Sequence, residues 1–334
     1  MKKTVLAVLA FVSAVNLFAA GGKDTAKSDQ KNGAGKIVIE NFNHTTEYVK
    51  TPERIIALSM EQAEVLAALG LADKIIMLSE GNHSIKDVLP EYRDMLKNVP
   101  TINFENVNLE YFLSQAPDLM FISSYFFNLK QFGSFEDYKQ NHIGIYVSEG
   151  SYVKSSTLEN TYNDIMNLGK IFRVEKKAAA LIEKLRVREK AIAEKIKNVK
   201  PVRCFVFDAN NNEKYFTAGG GGLYNSLLKC AGGENIFGSV EKQFFSASLE
   251  QIIAENPEVI IVSAWGKDDS KDDPKKTDGQ QKIDFLKSKK EFSEIPAVKN
   301  NRFIIVPLIS AFAGVQNVDA IETIAQGLHP ELFK

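Results

Sequence analysis

Two carboxylates sit in matching frames of this sequence. Residues 106–123 read NVNLEYFLSQAPDLMFIS, and residues 246–263 read SASLEQIIAENPEVIIVS. Shifted by 140 positions, Leu109 falls on Leu249, Glu110 on Glu250, Pro117 on Pro257, Asp118 on Glu258 and Ser123 on Ser263. Each glutamate follows a capping residue, Asn108 or Ser248, as the second residue of a predicted helix. There it complements the helix dipole, an effect worth about 0.3–1 kcal/mol. A carboxylate is equally suited to a directional, charge-assisted pair with an arginine of another molecule. One such site needs only the first explanation, whereas two in register ask for a partner that presents the same contact twice.

Catalytic chemistry finds less support. The four histidines, His44, His83, His142 and His329, have no pairing suited to zinc, and neither a G-x-S-x-G elbow nor an H-E-x-x-H helix occurs. An exported hydrolase or redox enzyme is the competing class, and substrate turnover would distinguish it from a binder. The run AGGGG (218–222) precedes a helix, where backbone N–H groups suit an anion. It lacks the Lys-Ser/Thr ending of a phosphate loop and the dinucleotide glycine spacing, and reads as a permissive turn.

The elements that carry these residues alternate. RIIAL (54–58) is a strand. SMEQAEVLAALG (59–70) is a helix with Ser59 as cap, Val65, Leu66 and Leu69 on one face and Gly70 as stop. KIIML (74–78) is a strand, and the first repeat adds a helix and the strand LMFIS. The pattern restarts with the strand RCFVFD (203–208), a helix within 221–237, the second repeat and the strand RFIIVP (302–307). Alternation of this kind predicts an α/β fold of two Rossmann-like lobes with parallel-rich sheets. The N-terminal lobe spans 37–155, connecting helices 156–198 and the C-terminal lobe 199–334. The second connecting stretch, residues 174–199, carries Ala179, Ile182, Leu185, Ile192 and Ile196 near one stripe, and as a helix would run to about 39 Å. A cleft between two such lobes is the usual place for a ligand. Residues 267–282, mixed in charge with Pro and Gly, read as a solvated loop.

The chain of 334 residues is 44% apolar and 25% charged, which suits a soluble globular protein with a sizeable core. A formal charge of −1 excludes a globally basic nucleic-acid binder. Lys2 and Lys3, the apolar run TVLAVLAFVSAVNLF (4–18) and the small residues 19–22 read as a cleaved signal peptide, residues 1–20. The run is short for a span of about 20 residues. Residues 21–36 form a flexible leader. No cysteine lies near the cleavage region, so the expectation is an exported, periplasmic protein without a lipid anchor. Removing Lys2 and Lys3 leaves 39 basic and 42 acidic side chains, a mature charge of −3. Cys204 and Cys230 fall at one edge of a predicted βα unit, where a disulfide is conceivable and burial as two thiols is the simpler use.

The ordered set TPERIIALSMEQAEVLAALGLADKIIML, NLE…APDLMFIS, a long helix, GGLYNSLLKCAGGENIF and SLE…NPEVIIV resembles the helical-backbone (class III) periplasmic substrate-binding proteins of ABC importers, the type that carries iron-siderophores, haem and cobalamin. The resemblance covers about residues 50–330. It implies a monomeric receptor that captures a small-molecule metal chelate, with no cofactor of its own. It further implies that Glu110 and Glu250, one per lobe, enter arginine pockets on the two subunits of an inner-membrane ABC permease.

In parallel α/β lobes a ligand meets the loops after the strands' C-terminal ends. Those loops give a candidate lining of Met60, Glu61, Asn82, His83, Ser124, Tyr125, Phe126 and Tyr152 in the first lobe, and Tyr215, Trp265 and Phe312 in the second. Phe104 and the pair Phe244–Phe245 precede the repeated helices and add to the candidates, with burial as their other use. His83 or Tyr125 could ligate iron or haem directly. None of Arg54, Arg93, Arg173, Arg186, Arg188, Arg203 and Arg302 falls on a predicted cleft loop. A neutral hydroxamate or cobalamin therefore fits better than a triply anionic catecholate.

Overall fold

The structure is a computed structural model that describes residues 35–334 apart from Asn82, residues 212–213 and residues 267–275. The expected signal peptide, almost all of the leader and most of the charged loop lie outside the described residues.

A hairpin, β1 (Ile37–Asn41) and β2 (His44–Tyr48), opens the described chain. The first lobe follows with β3 (Ile55–Ala57), α1 (Met60–Ala68), β4 (Ile75–Ser79), α2 (Pro90–Leu96), β5 (Thr101–Ile102), α3 (Leu109–Ser114), β6 (Leu119–Ile122), α4 (Phe135–Gln140) and β7 (Gly144–Val147). Its strands form a five-stranded parallel sheet in the order β5-β4-β3-β6-β7. Two helices, α5 (Leu158–Ile171) and α6 (Glu175–Ile196), lead to the second lobe.

That lobe comprises β8 (Val202–Phe207), β9 (Ala209–Asn211), β10 (Lys214–Ala218), α7 (Leu223–Cys230), β11 (Gly233–Asn235), β12 (Phe244–Ser248), α8 (Leu249–Glu255), β13 (Val259–Ala264), α9 (Asp278–Ser288), α10 (Pro296–Lys299), β14 (Phe303–Pro307) and α11 (Asn317–Leu328). Four strands form a parallel sheet, β11-β8-β13-β14, and three form a separate antiparallel sheet, β12-β10-β9. The antiparallel sheet and the edge strand β11 are additions to the sequence expectation.

Alternate residues of the parallel strands point to opposite faces. Ile55, Ala57, Leu119 and Phe121 of the first sheet and Cys204, Val206, Val259 and Ile261 of the second feed one continuous core. Their neighbours Ile56, Met120 and Ile122 build a separate core on the first lobe's other face, and Phe205, Phe207, Ile260 and Val262 do so on the second. The two lobes therefore share apolar interior and are not independent bodies.

The repeat survives in three dimensions. Asn108 accepts from Tyr111 N at 3.0 Å and Ser248 from Gln251 N at 3.3 Å, so both helices are capped. The acid eight residues after each glutamate also has a structural duty. Asp118 accepts from the backbone N–H groups of Glu53 and Arg54 at 2.8 and 3.2 Å, and Glu258 accepts from that of Arg203 at 3.2 Å. Each pins the start of the neighbouring strand.

Helix α6 has 22 residues, about 33 Å. Its buried stripe is Ala178, Leu185 and Ile192; the expected Ala179 is exposed. Arg186 makes a two-pronged pair with Glu159 of α5 at 2.7 and 2.6 Å, and Arg188 bonds Asp319 and Glu322 of α11 at 2.8 and 2.9 Å. The linking helix is thus fastened on both sides. Helix α1 ends as expected: Gly70 adopts φ +75, with Gly70 N on Ala67 O and Leu71 N on Leu66 O, both at 2.9 Å. Its start differs, because the Ser59 side chain makes no cap bond and its Oγ is buried without a partner. Cys204 and Cys230 are free thiols, and burial pushes that of Cys204 up to about 12.

Candidate ligand-binding cleft

A cavity of about 120 Å³ lies between the lobes. The first lobe supplies Glu61, the second residue of α1; Ser123 and Tyr125, after β6; and Ser148, Gly150 and Ser151, after β7. The second supplies Gly222–Tyr224 at the start of α7, Gln243 and Phe244 at the start of β12, and Ala311–Ala313 after β14. Among the described residues the wall is hydroxyl-bearing and aromatic, with one carboxylate and no lysine or arginine.

The lobes touch across this cavity. Tyr125 OH donates to Gln243 Oε1 at 2.6 Å, and Gln243 Nε2 donates to Ser151 O at 3.1 Å. Ser155 N donates to Gly221 O at 2.9 Å, and Lys154 Nζ pairs with Glu241 at 2.9 Å. These contacts form a latch over the cleft. A second, buried set ties the floor: Gln316 Nε2 donates to both Glu64 oxygens at 3.0 and 2.8 Å and to Asp87 O at 2.9 Å, while Leu89 N donates to Glu64 at 2.6 Å. Burial, partly opposed by these bonds, pushes the Glu64 carboxyl up to about 7. Asn317 accepts from Thr161 Oγ1 at 2.7 Å and donates to Ser310 O and Phe312 O at 2.9 and 2.6 Å, which fixes the 310–317 turn against α5.

Of the candidate lining, Glu61, Tyr125 and Phe312 meet at the cavity. His83 stands one layer behind, edge-on to Phe312 with centroids 6.1 Å apart. Ser124 does not reach the cavity; its N–H and hydroxyl bond Ser151 at 2.8 and 2.7 Å and position that loop. Asn82 lies outside the described residues. The others serve packing. Met60 is 1% exposed in the shared core, and Tyr215 packs edge-on to Phe292 at 5.1 Å. Phe126 stacks on Phe132 at 4.7 Å, with Phe104 tilted on Phe132 at 5.5 Å. Tyr152 OH accepts from Phe42 N at 3.1 Å and from Asn41 at 3.3 Å, anchoring the first hairpin. Trp265 is off the cavity: Nε1 donates to Asp208 at 2.7 Å, and Lys282 lies 4.6 Å from the ring centroid.

Two wall residues escaped the strand-end rule. Gln243 and Phe244 enter at the start of a strand, because β12 belongs to the antiparallel sheet and runs the other way. Phe245, next along, turns inward onto Phe237 at 5.3 Å, so the Phe244–Phe245 pair divides between cleft and core. The arginines are engaged elsewhere: Arg54, Arg93, Arg203 and Arg302 on backbone carbonyls, Arg173 on Thr51 and Gly35, Arg186 on Glu159 of α5 and Arg188 on Asp319 of α11. Glu110 and Glu250 are both exposed, on the first turns of α3 and α8. The Ser248 hydroxyl beside Glu250 lowers that carboxyl below its ordinary range.

Residues 55–308 match the family model described as periplasmic binding protein. The ABC transporter substrate-binding lipoprotein YvrC of Bacillus subtilis is 25% identical over 314 residues, covering 92% of this chain and 90% of its own. The vitamin B12-binding protein of Vibrio parahaemolyticus is 26% identical over 234 residues, covering 68% of this chain and 77% of its own. A periplasmic binding protein of Veillonella parvula has a solved structure that superposes with a TM-score of 0.77 at 26% identity, covering 88% of this chain and 98% of its own. With two α/β lobes, a helical backbone and a cleft between them, this chain belongs to the periplasmic binding protein family.

Proposed function

We propose that this protein is the substrate-binding component of an ABC importer and captures a bulky metal chelate for delivery to an inner-membrane permease. The carrying observation is the cation-free cavity between the lobes, walled by Tyr125, Phe244 and Phe312 with serine hydroxyls among them. Aromatic faces suit a large organic ligand, and the hydroxyls orient it. Among the described residues the wall offers a polyanion no lysine or arginine. An iron–hydroxamate siderophore is the first reading of the ligand. Cobalamin is the second, favoured by the similarity to a vitamin B12-binding protein. The action is capture without turnover.

At about 120 Å³ the cavity falls below the roughly 300–1,000 Å³ of sites that enclose drug-sized ligands. Entry of such a chelate requires the Tyr125–Gln243 and Ser155–Gly221 contacts to part. Glu110 and Glu250 are the permease contacts in this reading, the lobes run 37–155 and 199–334 with 156–198 connecting them, and the protein works as a monomer. The first 20 residues export it.

Calorimetric titration with ferrichrome, ferric enterobactin, haem and cyanocobalamin tests the reading. Saturable binding of ferrichrome or cyanocobalamin, with the ligand recovered unchanged, supports it. Chemical conversion of a bound compound would favour the enzyme instead, and silence toward all four would remove the chelate reading.

A further inference from the structure

Among the described residues one charged side chain lines the cavity, and it is uncompensated there. Glu61 is 8% exposed, and its Oε2 is buried without a hydrogen-bond partner. Ser59 Oγ and Gln62 Oε1, within the same turn of chain, are also buried and unpartnered. Three such atoms in four residues are unusual, because buried polar groups are nearly always satisfied. Asn225 Oδ1, near the start of α7 and behind the cavity wall, is in the same condition. All four are oxygens. Of the four residues only Glu61 lines the cavity, and a carboxylate oxygen accepts, so the unmet polar demand at the wall is for a donor. Phe244, Phe312, Leu223 and the small Ala313 supply the apolar remainder of the wall, and none can answer a carboxylate.

We propose that Glu61 receives a cationic or N–H-bearing group of the ligand, so that the cleft selects chelates presenting positive charge or amide donors toward the start of α1 and rejects polyanionic ones. This rests on the receptor reading above and narrows it. A buried carboxylate without a partner is costly, and pairing it with a donor offsets that cost only in the loaded form. The residue therefore contributes affinity without holding the empty protein closed. Amide-fringed corrinoids and hydroxamates with a free ammonium carry such donors; tris-catecholates carry negative charge instead.

The probes are ferrioxamine B, a ferric trihydroxamate with one free ammonium, its N-acetylated form, which has the same coordination sphere and no charge, cyanocobalamin and ferric enterobactin. In wild-type protein ferrioxamine B should bind about tenfold more tightly than its acetylated form, the strength of one charge-assisted hydrogen bond. Glu61→Gln, nearly isosteric, should bring the pair to equal affinity. If only cyanocobalamin binds, Glu61→Leu should weaken it about tenfold. A charge preference that persists in Glu61→Gln, cyanocobalamin binding unchanged in Glu61→Leu, or tightest binding of the enterobactin trianion would each overturn the role of Glu61 and leave the receptor reading standing. No binding of any probe would overturn this inference, and the chelate reading falls with it only if ferrichrome and haem also fail to bind. The wild-type comparison needs no variant, and a cooperative thermal transition shows that each variant is folded.

Discussion

Glu64 lies one turn beyond Glu61 and has no exposed surface, yet it accepts hydrogen bonds from both lobes. Its carboxyl is raised from 4.5 to about 7, mainly by burial. The folded protein therefore holds a proton there that the unfolded chain releases. The resulting stability is fully present below 4.5 and is lost as pH rises through about 7. That displacement corresponds to about 3 kcal/mol. Urea unfolding of wild type against Glu64→Gln should show their difference changing by about this amount across the window, with the variant the flatter; parallel curves would count against the assignment. At this scale the sequence was only partly legible. Glu61, Tyr125 and Phe312 were found because they follow strands whose direction is readable from apolar runs. Met60, Phe126 and Tyr215 follow or flank strands too, but the side of the backbone they take depends on packing that no local pattern encodes.

Among the elements, the glycine-rich turn before α7 carries the tightest constraint. A Cβ on Gly220 would lie 1.9 Å from the carbonyl oxygen of Gly238, and backbone cannot yield as a side-chain tip can. Gly220→Ala should cost about 3 kcal/mol in unfolding free energy, as for an overpacked interior. Gly81→Ala is the control. That residue has φ +58 but open space around it, so only the backbone strain of about 1 kcal/mol applies. Equal denaturant midpoints for the two would contradict the steric account. The same turn shows where element-level reading stopped. The helices and parallel strands were legible because each has its own periodicity and its own stop, as with Gly70 and Gly232, both at positive φ. The sheet β12-β10-β9 was not. Its strands are three to five residues long, and the pairing of Tyr215 with Ala247 spans more than thirty positions. The duplication itself was the strongest signal, since it places a capped helix and a buried strand twice at a fixed offset.

For the whole molecule, the matched glutamates make the docking proposal testable. Glu110→Ala combined with Glu250→Ala should leave ligand affinity unchanged and abolish uptake in reconstituted vesicles; normal uptake would refute it. The latch makes a kinetic prediction. Gln243→Ala removes the contacts to Tyr125 and Ser151, about 2 kcal/mol at roughly 1 kcal/mol per bond. Stopped-flow association should quicken up to about thirtyfold. An unchanged association rate would mean that opening is not the limiting step. The shared interior has a further consequence. Because residues from both sheets fill one core and α6 is fastened to α5 and α11, the distance between Glu110 and Glu250 works like a fixed-jaw caliper. A permease that measures only that gauge would accept vacant and laden copies alike. Surplus vacant protein would then act as a competitive inhibitor of import, and flux would depend on the laden fraction rather than on the amount of receptor.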